Sequence, residues 1–282
     1  MSRNKPIIVT DSNASLPAQL SKSLGIITVP MEIHHGSNVY MDGLDISPSE
    51  FYAIQASSEV SLSTSAPQPV SYLQAYRSAA DKTNQVICLT LSAELSATHL
   101  AAIEARALVR EEIPNLNVQV IDSRTAGTAQ GLIALAGARA SANGSSTDET
   151  VSVIKERIAD TVLYGTLDSL YYVWRSGRVP RLGMWMGSLL SIKPILEIRE
   201  GEIGMVERPR TSVKAMDRLV NLVSRNLAGR PGMLAITYAN AKEQADELAA
   251  RLKSEVNVKE MFLTEFTSVI GAHTGPGLVG CA

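Results

Sequence analysis

Val86-Ile87-Cys88-Leu89-Thr90-Leu91 runs into Ser92-Ala93-Glu94-Leu95-Ser96-Ala97-Thr98 and then into an Ala-rich segment. The first six residues form a nearly unbroken apolar run with β-branched members, the mark of a strand buried on both faces. The last segment reads as a helix, with Ala101, Ala102, Ile103, Ala105 and Leu108 at favourable positions and few breakers. A strand that feeds a helix through a hydroxyl-rich turn sits at the carboxyl edge of a parallel sheet, where open α/β folds bind ligands. The helix start offers unpaired N–H groups and a partial positive charge, and Ser92, Ser96 and Thr98 add hydroxyls at the same spot. These features point to a small anionic group. The plainer reading makes Ser96 a helix N-cap, and the turn alone leaves both open.

Outward from this turn, strand, polar turn and helix repeat. Residues 7–10 (Ile-Ile-Val-Thr) form a short buried-strand pattern that ends in Asp11-Ser12-Asn13, with a helix start near Leu16-Pro17. Residues 26–30 read as a second strand, followed by Glu32-Ile33-His34. Ser47-Pro48-Ser49-Glu50 has the form of a capped helix entry, and Thr64-Ser65-Ala66-Pro67 reads as another hydroxyl-rich turn. A strand at residues 117–121 leads to a long helix rich in small residues over 126–142, which Asn143-Gly144 ends. This order predicts a parallel sheet.

After Gly144 the texture changes. A helix with Val151, Ile154 and Ile158 on one face precedes a strand at 162–165, and Asp168 is placed to cap a helix carrying Tyr171 and Trp174. An apolar helical stretch is expected at 184–190. Glu200-Gly201 reads as a hairpin turn. Residues 213–227 form an amphipathic helix in which Met216, Leu219, Val220, Val223 and Leu227 recur at helical spacing. A strand at 233–238, a helix capped by Asn240 and a strand at 261–263 complete a mixed α/β pattern. The expected architecture is α/β in two domains, 1–155 with a parallel sheet and 156–282 with a mixed sheet, divided somewhere between Gly144 and Val162.

Hydrophobic residues make up 45% of the 282-residue chain, enough for a sizeable core, and aromatics only 5%, so the cores are aliphatic. A net charge of −2 argues against a nucleic-acid partner. Cys88 and Cys281 give neither a disulfide framework nor metal spacing, which suits a reducing cytoplasm. The opening residues lack a signal-peptide core, and no run of about 18 apolar residues predicts a membrane span. Spacing also removes several chemistries. There is no Walker-type phosphate loop, no H-E-x-x-H and no G-x-S-x-G. Gly275-Pro276-Gly277-Leu278-Val279-Gly280 matches a dinucleotide fingerprint in form, but no helix follows to receive a pyrophosphate. What remains is a set of hydroxyl and basic residues in loops: Thr64, Ser65, Ser92, Ser96, Ser123, Arg175, Arg178, Arg210 and His273. Each has an ordinary explanation as a turn former or solvated charge.

In combination these segments resemble the DegV family of bacterial fatty-acid-binding proteins. Ile8-Val9-Thr10-Asp11-Ser12 resembles its opening strand and turn. Thr64-Ser65-Ala66-Pro67 is similar to its T-S-Q-P segment, and the 91–98 turn to its S-S-x-L-S-G-T. Val120-Ile121-Asp122-Ser123 with Gly127 and Gln130-Gly131, Thr166-Leu167-Asp168-Ser169-Leu170 with Arg175-Ser176-Gly177-Arg178, and Ser191-Ile192-Lys193-Pro194-Ile195-Leu196 follow in family order. So do Arg208-Pro209-Arg210-Thr211 and the ending His273-Thr274-Gly275-Pro276-Gly277.

The resemblance implies a fatty acid in a tunnel between two α/β domains, its carboxylate surrounded by Thr64, Ser65, Ser96 and His273, with Arg178 and Arg210 near the mouth. Ser92, Thr274 and Gly275, from the same turn and ending, complete the expected ligand-binding set. It further implies a non-catalytic carrier that needs no cofactor or metal. A separate ATP-binding fatty acid kinase subunit phosphorylates the bound acid to an acyl-phosphate, and a transient peripheral membrane contact is compatible with that role. The sequence departs from the family pattern at Ala66, Gln68, Ala97 and Ser176, and at Glu94, which is expected to face solvent. Aliphatic lining is available from Ile26, Leu91, Ile121, Ile133, Leu163, Leu167, Met184, Met186, Leu189, Leu190 and Leu196, though most are equally good core residues. Met184-Trp185-Met186 would suit either a movable lid or packing between domains. Two other functions fit the same residues: an acyl-ester hydrolase using Ser96 or Thr64 with His273 as base, or a small-polar-ligand subunit related to dihydroxyacetone kinase.

Overall fold

The computed structural model describes residues 5–57, 62–179 and 192–282. In chain order the first part comprises β1 (Ile7–Asp11), α1 (Ala18–Leu24), β2 (Ile27–Val29), β3 (Glu32–His35), β4 (Asn38–Met41), α2 (Pro48–Ser57) and β5 (Leu62–Ser65). It continues with α3 (Pro69–Ala80), β6 (Gln85–Thr90), α4 (Thr98–Glu112), β7 (Asn117–Asp122), α5 (Gly127–Ala142) and α6 (Thr147–Asp160). The second part comprises β8 (Leu163–Thr166), α7 (Tyr171–Arg175), β9 (Ile195–Arg199), β10 (Glu202–Glu207), α8 (Ser212–Leu227), β11 (Gly232–Ala239), α9 (Lys242–Glu255), β12 (Val258–Glu265), α10 (Ser268–Thr274) and β13 (Leu278–Cys281).

β6 lies between β1 and β7 in a four-stranded parallel sheet of order β2-β1-β6-β7. Val86, Ile87, Cys88 and Leu89 are fully buried. Their alternation divides the core. Val86 and Cys88 pack with Tyr72 and Tyr76 of α3 and with the alanines of α4. Ile87 and Leu89 pack with Ile133, Leu135 and Ala138 of α5. The second part is one mixed sheet of order β10-β9-β8-β13-β11-β12. α8 covers it with Met216, Leu219, Val220 and Val223, the stripe read from its helical spacing. The chain is thus α/β with a parallel sheet followed by a mixed one.

α5 is buried almost all round, because its small residues let neighbours come close. A Cβ at Gly137 would stand 2.8 Å from the Ile154 Cδ1 of α6, and one at Gly131 would overlap the Ala14 carbonyl. α6 packs with the first sheet through Val151 and Ile154 and runs unbroken through residues 155 and 156. We therefore place the division between the two parts after this helix, at Thr161.

Several local readings need correction. Ala97, not Ser96, holds the N-cap position of α4. Leu170, not Asp168, precedes α7, while Asp168 pairs with Lys193 Nζ at 2.6 Å. Asn240 takes a left-handed turn (φ 49°), and Ala241 occupies the N-cap of α9. β3, β4 and β5 form a separate antiparallel sheet of order β4-β3-β5 that the sequence reading did not anticipate. Its strands are short and mostly polar, with only Ile33 and Leu62 buried. The turn expected at Thr64-Ser65 is the end of β5. The stretch at 184–190 and the Met184-Trp185-Met186 lid lie outside the described residues. Among the described residues no helix is long and apolar enough to cross a membrane.

Candidate binding site

The carboxyl end of the first sheet faces the second part across a cavity. Met31, Leu91, Leu95 and Ala126 line it from one side, and Leu163, Leu167, Leu196, Ile198 and Ile203 from the other. Of the expected lining residues, Leu91, Leu163, Leu167 and Leu196 take this place. Ile26, Ile121 and Ile133 pack in the first core instead, and Met184, Met186, Leu189 and Leu190 are outside the described residues.

Besides Asn13 after β1, polar residues in the wall come from four distant segments. Thr64 and Ser65 end β5, Ser96 precedes α4, Ser176 and Arg178 follow α7, and His273 and Thr274 end α10. Antiparallel pairing sets Thr64 opposite Ile33, a fully buried position. This directs Thr64 inward, where its Oγ1 lies 2.7 Å from His273 Nε2. Burial, and secondarily the Arg178 charge, push the His273 pKa down to about 4, so its ring is neutral near pH 7. With its proton on Nε2 the ring donates to Thr64 and turns the Thr64 hydroxyl proton toward the cavity. Among the described residues Arg178 brings a full positive charge to the wall, and its guanidinium donates to the Ser176 carbonyl at 2.6 Å. Ser96 Oγ lies 2.7 Å from Thr98 Oγ1 and accepts from the Thr98 N–H at 3.3 Å. Glu94 is exposed, as expected.

Three residues of the expected set lie elsewhere. Ser92 is fully buried behind the wall, where its N–H donates to the Thr125 carbonyl and its hydroxyl packs near Gly201. Arg210 is exposed beyond the end of β10. Gly275 ends α10 with φ 70°, and a Cβ there would overlap the Tyr172 ring. Its lack of a side chain permits that contact and gives it nothing polar to offer a ligand.

Two buried carboxyls that the sequence reading did not single out position the site. Asp11 Oδ2 accepts from the Leu91 N–H (2.9 Å) and from Gln130 Nε2 (3.1 Å), which fixes the start of the Ser92–Thr98 turn; burial raises its pKa to about 6. Asp42 accepts from Ser12 Oγ (2.6 Å) and from the Ser268 N–H (3.1 Å), tying the first residue of α10, and through it His273, to the loop after β1. Its pKa is raised by the same cause. Asp42 carried no signal, and Asp11 entered only as part of a turn motif, because an Asp in a turn is ordinary. Among the described residues no cluster of three or more His, Cys, Asp or Glu could hold a metal ion.

Among the described residues, an aliphatic cavity between two α/β parts thus carries hydroxyls, a neutral imidazole and the Arg178 guanidinium in its wall. A profile of the uncharacterised DegV family matches residues 5–282, and the chain belongs to that family. A DegV domain-containing protein of Streptomyces coelicolor is 37% identical over 276 residues, which cover 97% of this chain and 96% of the relative. Two solved structures share the fold. A DegV family protein from Thermus thermophilus, described by its fatty acid binding, superposes with a TM-score of 0.90 at 27% identity over 98% of each chain. DegV of Bacillus subtilis, described as a fatty acid binding protein, gives 0.88 at 28% identity over 99% of this chain and 98% of its own.

Proposed function

We propose that this chain binds a long-chain fatty acid in the cavity between its two parts, with the carboxylate at the cluster of Thr64, Ser96, Arg178 and His273. The observation that carries this reading is the joining of an aliphatic wall to the Thr64–His273 pair in one cavity. An acyl chain gains about 0.8 kcal/mol per buried methylene, so about fifteen of them supply on the order of 12 kcal/mol before ordering costs. The head group then needs only partners enough to offset several kcal/mol of desolvation. The descriptions of the Thermus and Bacillus relatives support the same ligand. Native mass spectrometry of the purified chain tests it: bound lipid, or uptake of added palmitate or oleate after delipidation, is expected. A chain that stays empty in both experiments refutes it.

In this reading the protein is a carrier that presents the carboxylate to a separate ATP-binding fatty acid kinase subunit for acyl-phosphate formation. The sequence holds no Walker-type loop, so the phosphoryl donor comes with the partner. A second reading draws on the 2.7 Å contact of Thr64 with a neutral His273, a hydroxyl–base geometry suited to acyl-ester cleavage. A burst of product from an activated ester, abolished by Thr64→Val, would establish that reading over the carrier. The small-polar-ligand alternative fits poorly with a wall made of leucine and isoleucine.

A further inference from the structure

We infer that Asn13 gives the cavity a hydrogen-bond donor away from the head group, so that this site takes a fatty acid whose chain carries an oxygen, a hydroxyl or oxo group, at the depth of that residue; this rests on the fatty-acid reading above. Asn13 follows β1, is 5% exposed and lines the cavity beside Met31, Ala126, Gly127 and Phe266. Its Oδ1 accepts from the Gly127 N–H at 2.8 Å. That bond fixes the amide, because only the oxygen can face an N–H donor. The backbone carbonyl of Asn13 takes the Ser15 hydroxyl at 3.0 Å. Among the described residues none accepts from Asn13 Nδ2. A side chain more than nine-tenths buried therefore keeps its NH2 protons for whatever fills the cavity.

Two rulers separate this donor from the Thr64–His273 pair. The first is α10. Asp42 links Ser12 to the Ser268 N–H, and the Thr267 N–H reaches Ser15 Oγ at 3.5 Å, so the loop holding Asn13 meets the first turn of that helix. His273 stands in its last turn, about 7 Å further along the axis at about 1.5 Å per residue. The second ruler is β3. The Met31 N–H donates to Ser12 Oγ at 3.1 Å, whereas Thr64 pairs with Ile33, again about 7 Å along the chain at about 3.3 Å per residue. Asn13 thus meets the acyl chain several carbons below the carboxylate.

A plain chain at that depth lays methylenes over Nδ2 and removes its water without replacing the hydrogen bond. An oxygen on the chain at the same depth receives the N–H, which offsets the water that the oxygen itself loses. The leucine and isoleucine side chains around it give no such partner, so the same oxygen placed elsewhere along the chain is buried unpaired. A site built to hydrogen-bond a ligand group discriminates against analogues that lack it.

The test titrates the delipidated full chain, at about pH 8 where carboxylates are ionised, with stearate and with oxostearates that differ only in the position of the carbonyl, a group that accepts and cannot donate. All isomers lose the same hydration, so the spread among them reports the wall. One isomer, with its carbonyl several carbons from the carboxylate, is expected to bind on the order of tenfold tighter than the rest. Asn13→Ala is expected to bring that isomer down to the level of the others. Asn13→Asp keeps an acceptor for the Gly127 N–H while removing the donor, and is expected to abolish the same peak, so the test stands if the alanine variant folds poorly. Loss of the Gly127 contact alone would weaken every ligand alike and leave the peak in place. Stearate binding with no peak among the isomers in the wild type, or a peak that survives in both variants, refutes the inference alone. A wild-type chain that binds neither stearate nor any isomer refutes the fatty-acid reading and the inference with it.

Discussion

Acidification should remove the stability that one neutral ring, His273, lends the fold. His273 titrates near 6.5 in an unfolded chain and at about 4 in the folded one, because burial and Arg178 oppose its charge. Between those values the unfolded chain carries the proton and the folded chain does not. The stability is therefore intact above about 6.5 and falls as the pH descends toward 4. At about 1.4 kcal/mol per pH unit, that gap comes to about 3 kcal/mol. Asp11 works in the opposite sense. Its folded pKa is raised from 3.8 to about 6, so the stability it lends is complete below 3.8 and lost as the pH rises through 6. The two slopes offset one another in the wild type, which makes the comparison with a variant decisive. Urea unfolding of delipidated wild type and His273→Gln, at steps from about pH 4 to 7, is expected to show curves that diverge by about 3 kcal/mol across this window. Relative to the wild type, the variant loses stability as the pH rises, because it keeps the buried Asp11 and Asp42 carboxyls and lacks the opposing ring. Parallel curves would refute the assignment of a neutral, desolvated His273. So would a ring titration, followed by nuclear magnetic resonance, centred near 6.5.

Other perturbations probe the wall and its supports. The tip of the β9–β10 hairpin is clamped to the first part by two hydrogen bonds: the Gly201 N–H donates to the Arg124 carbonyl at 2.6 Å, and Arg124 Nη2 donates to the Glu200 carbonyl at 2.7 Å. Arg124→Ala is expected to speed dissociation of bound fatty acid several-fold and to raise amide exchange over residues 195–207; unchanged exchange there would show that the clamp is dispensable. Ser96→Ala is expected to weaken acid binding by about 1 to 3 kcal/mol through an underpaired carboxylate, and an unchanged dissociation constant would remove Ser96 from the head-group cluster. Gly127 sits at φ 60°, and a Cβ there would stand 2.7 Å from Phe266 Cε1. Gly127→Ala is expected to lower unfolding stability by about 1 to 3 kcal/mol, and a neutral result would mean that Phe266 shifts freely.

Periodicity made the parallel sheet and α8 readable, because a doubly buried strand and an amphipathic helix impose their spacing on every residue they contain. The hairpin at Glu200-Gly201 was readable for a local reason: both residues take positive φ, 53° and 88°, and such turns favour glycine. The β3-β4-β5 sheet was hidden because Leu62-Ser63-Thr64-Ser65 buries one side chain on a mostly polar strand, which no pattern separates from a turn. Site residues divided along similar lines. Thr64, Ser65, Ser96, Arg178, His273 and Thr274 were placed by resemblance and stand in the cavity wall. Ser92 and Gly275 belong to the same motifs but serve packing, a distinction that only three-dimensional contact reveals.

The polar residues of the wall come from both parts of the chain: Thr64, Ser65 and Ser96 from the first, Arg178, His273 and Thr274 from the second. The aliphatic wall is divided in the same way. A ligand that fills this cavity therefore bridges the parts, and its binding energy adds to the contacts already joining them, among them the bidentate Arg139–Glu260 pair (2.6 and 2.7 Å) from α5 to β12. That pair is partly exposed, so alone it contributes little. On the cavity side the ligand would add to the hairpin clamp, to the Asp42–Ser268 and Thr64–His273 hydrogen bonds and to an apolar cluster shared by both parts. Free acid at about a hundred times its dissociation constant adds about 2.7 kcal/mol to the folded state. If the ligand spans both parts, palmitate should raise the unfolding midpoint as a single cooperative transition. A rise confined to one of two resolved transitions would place the acid within one part and overturn the shared-cavity account.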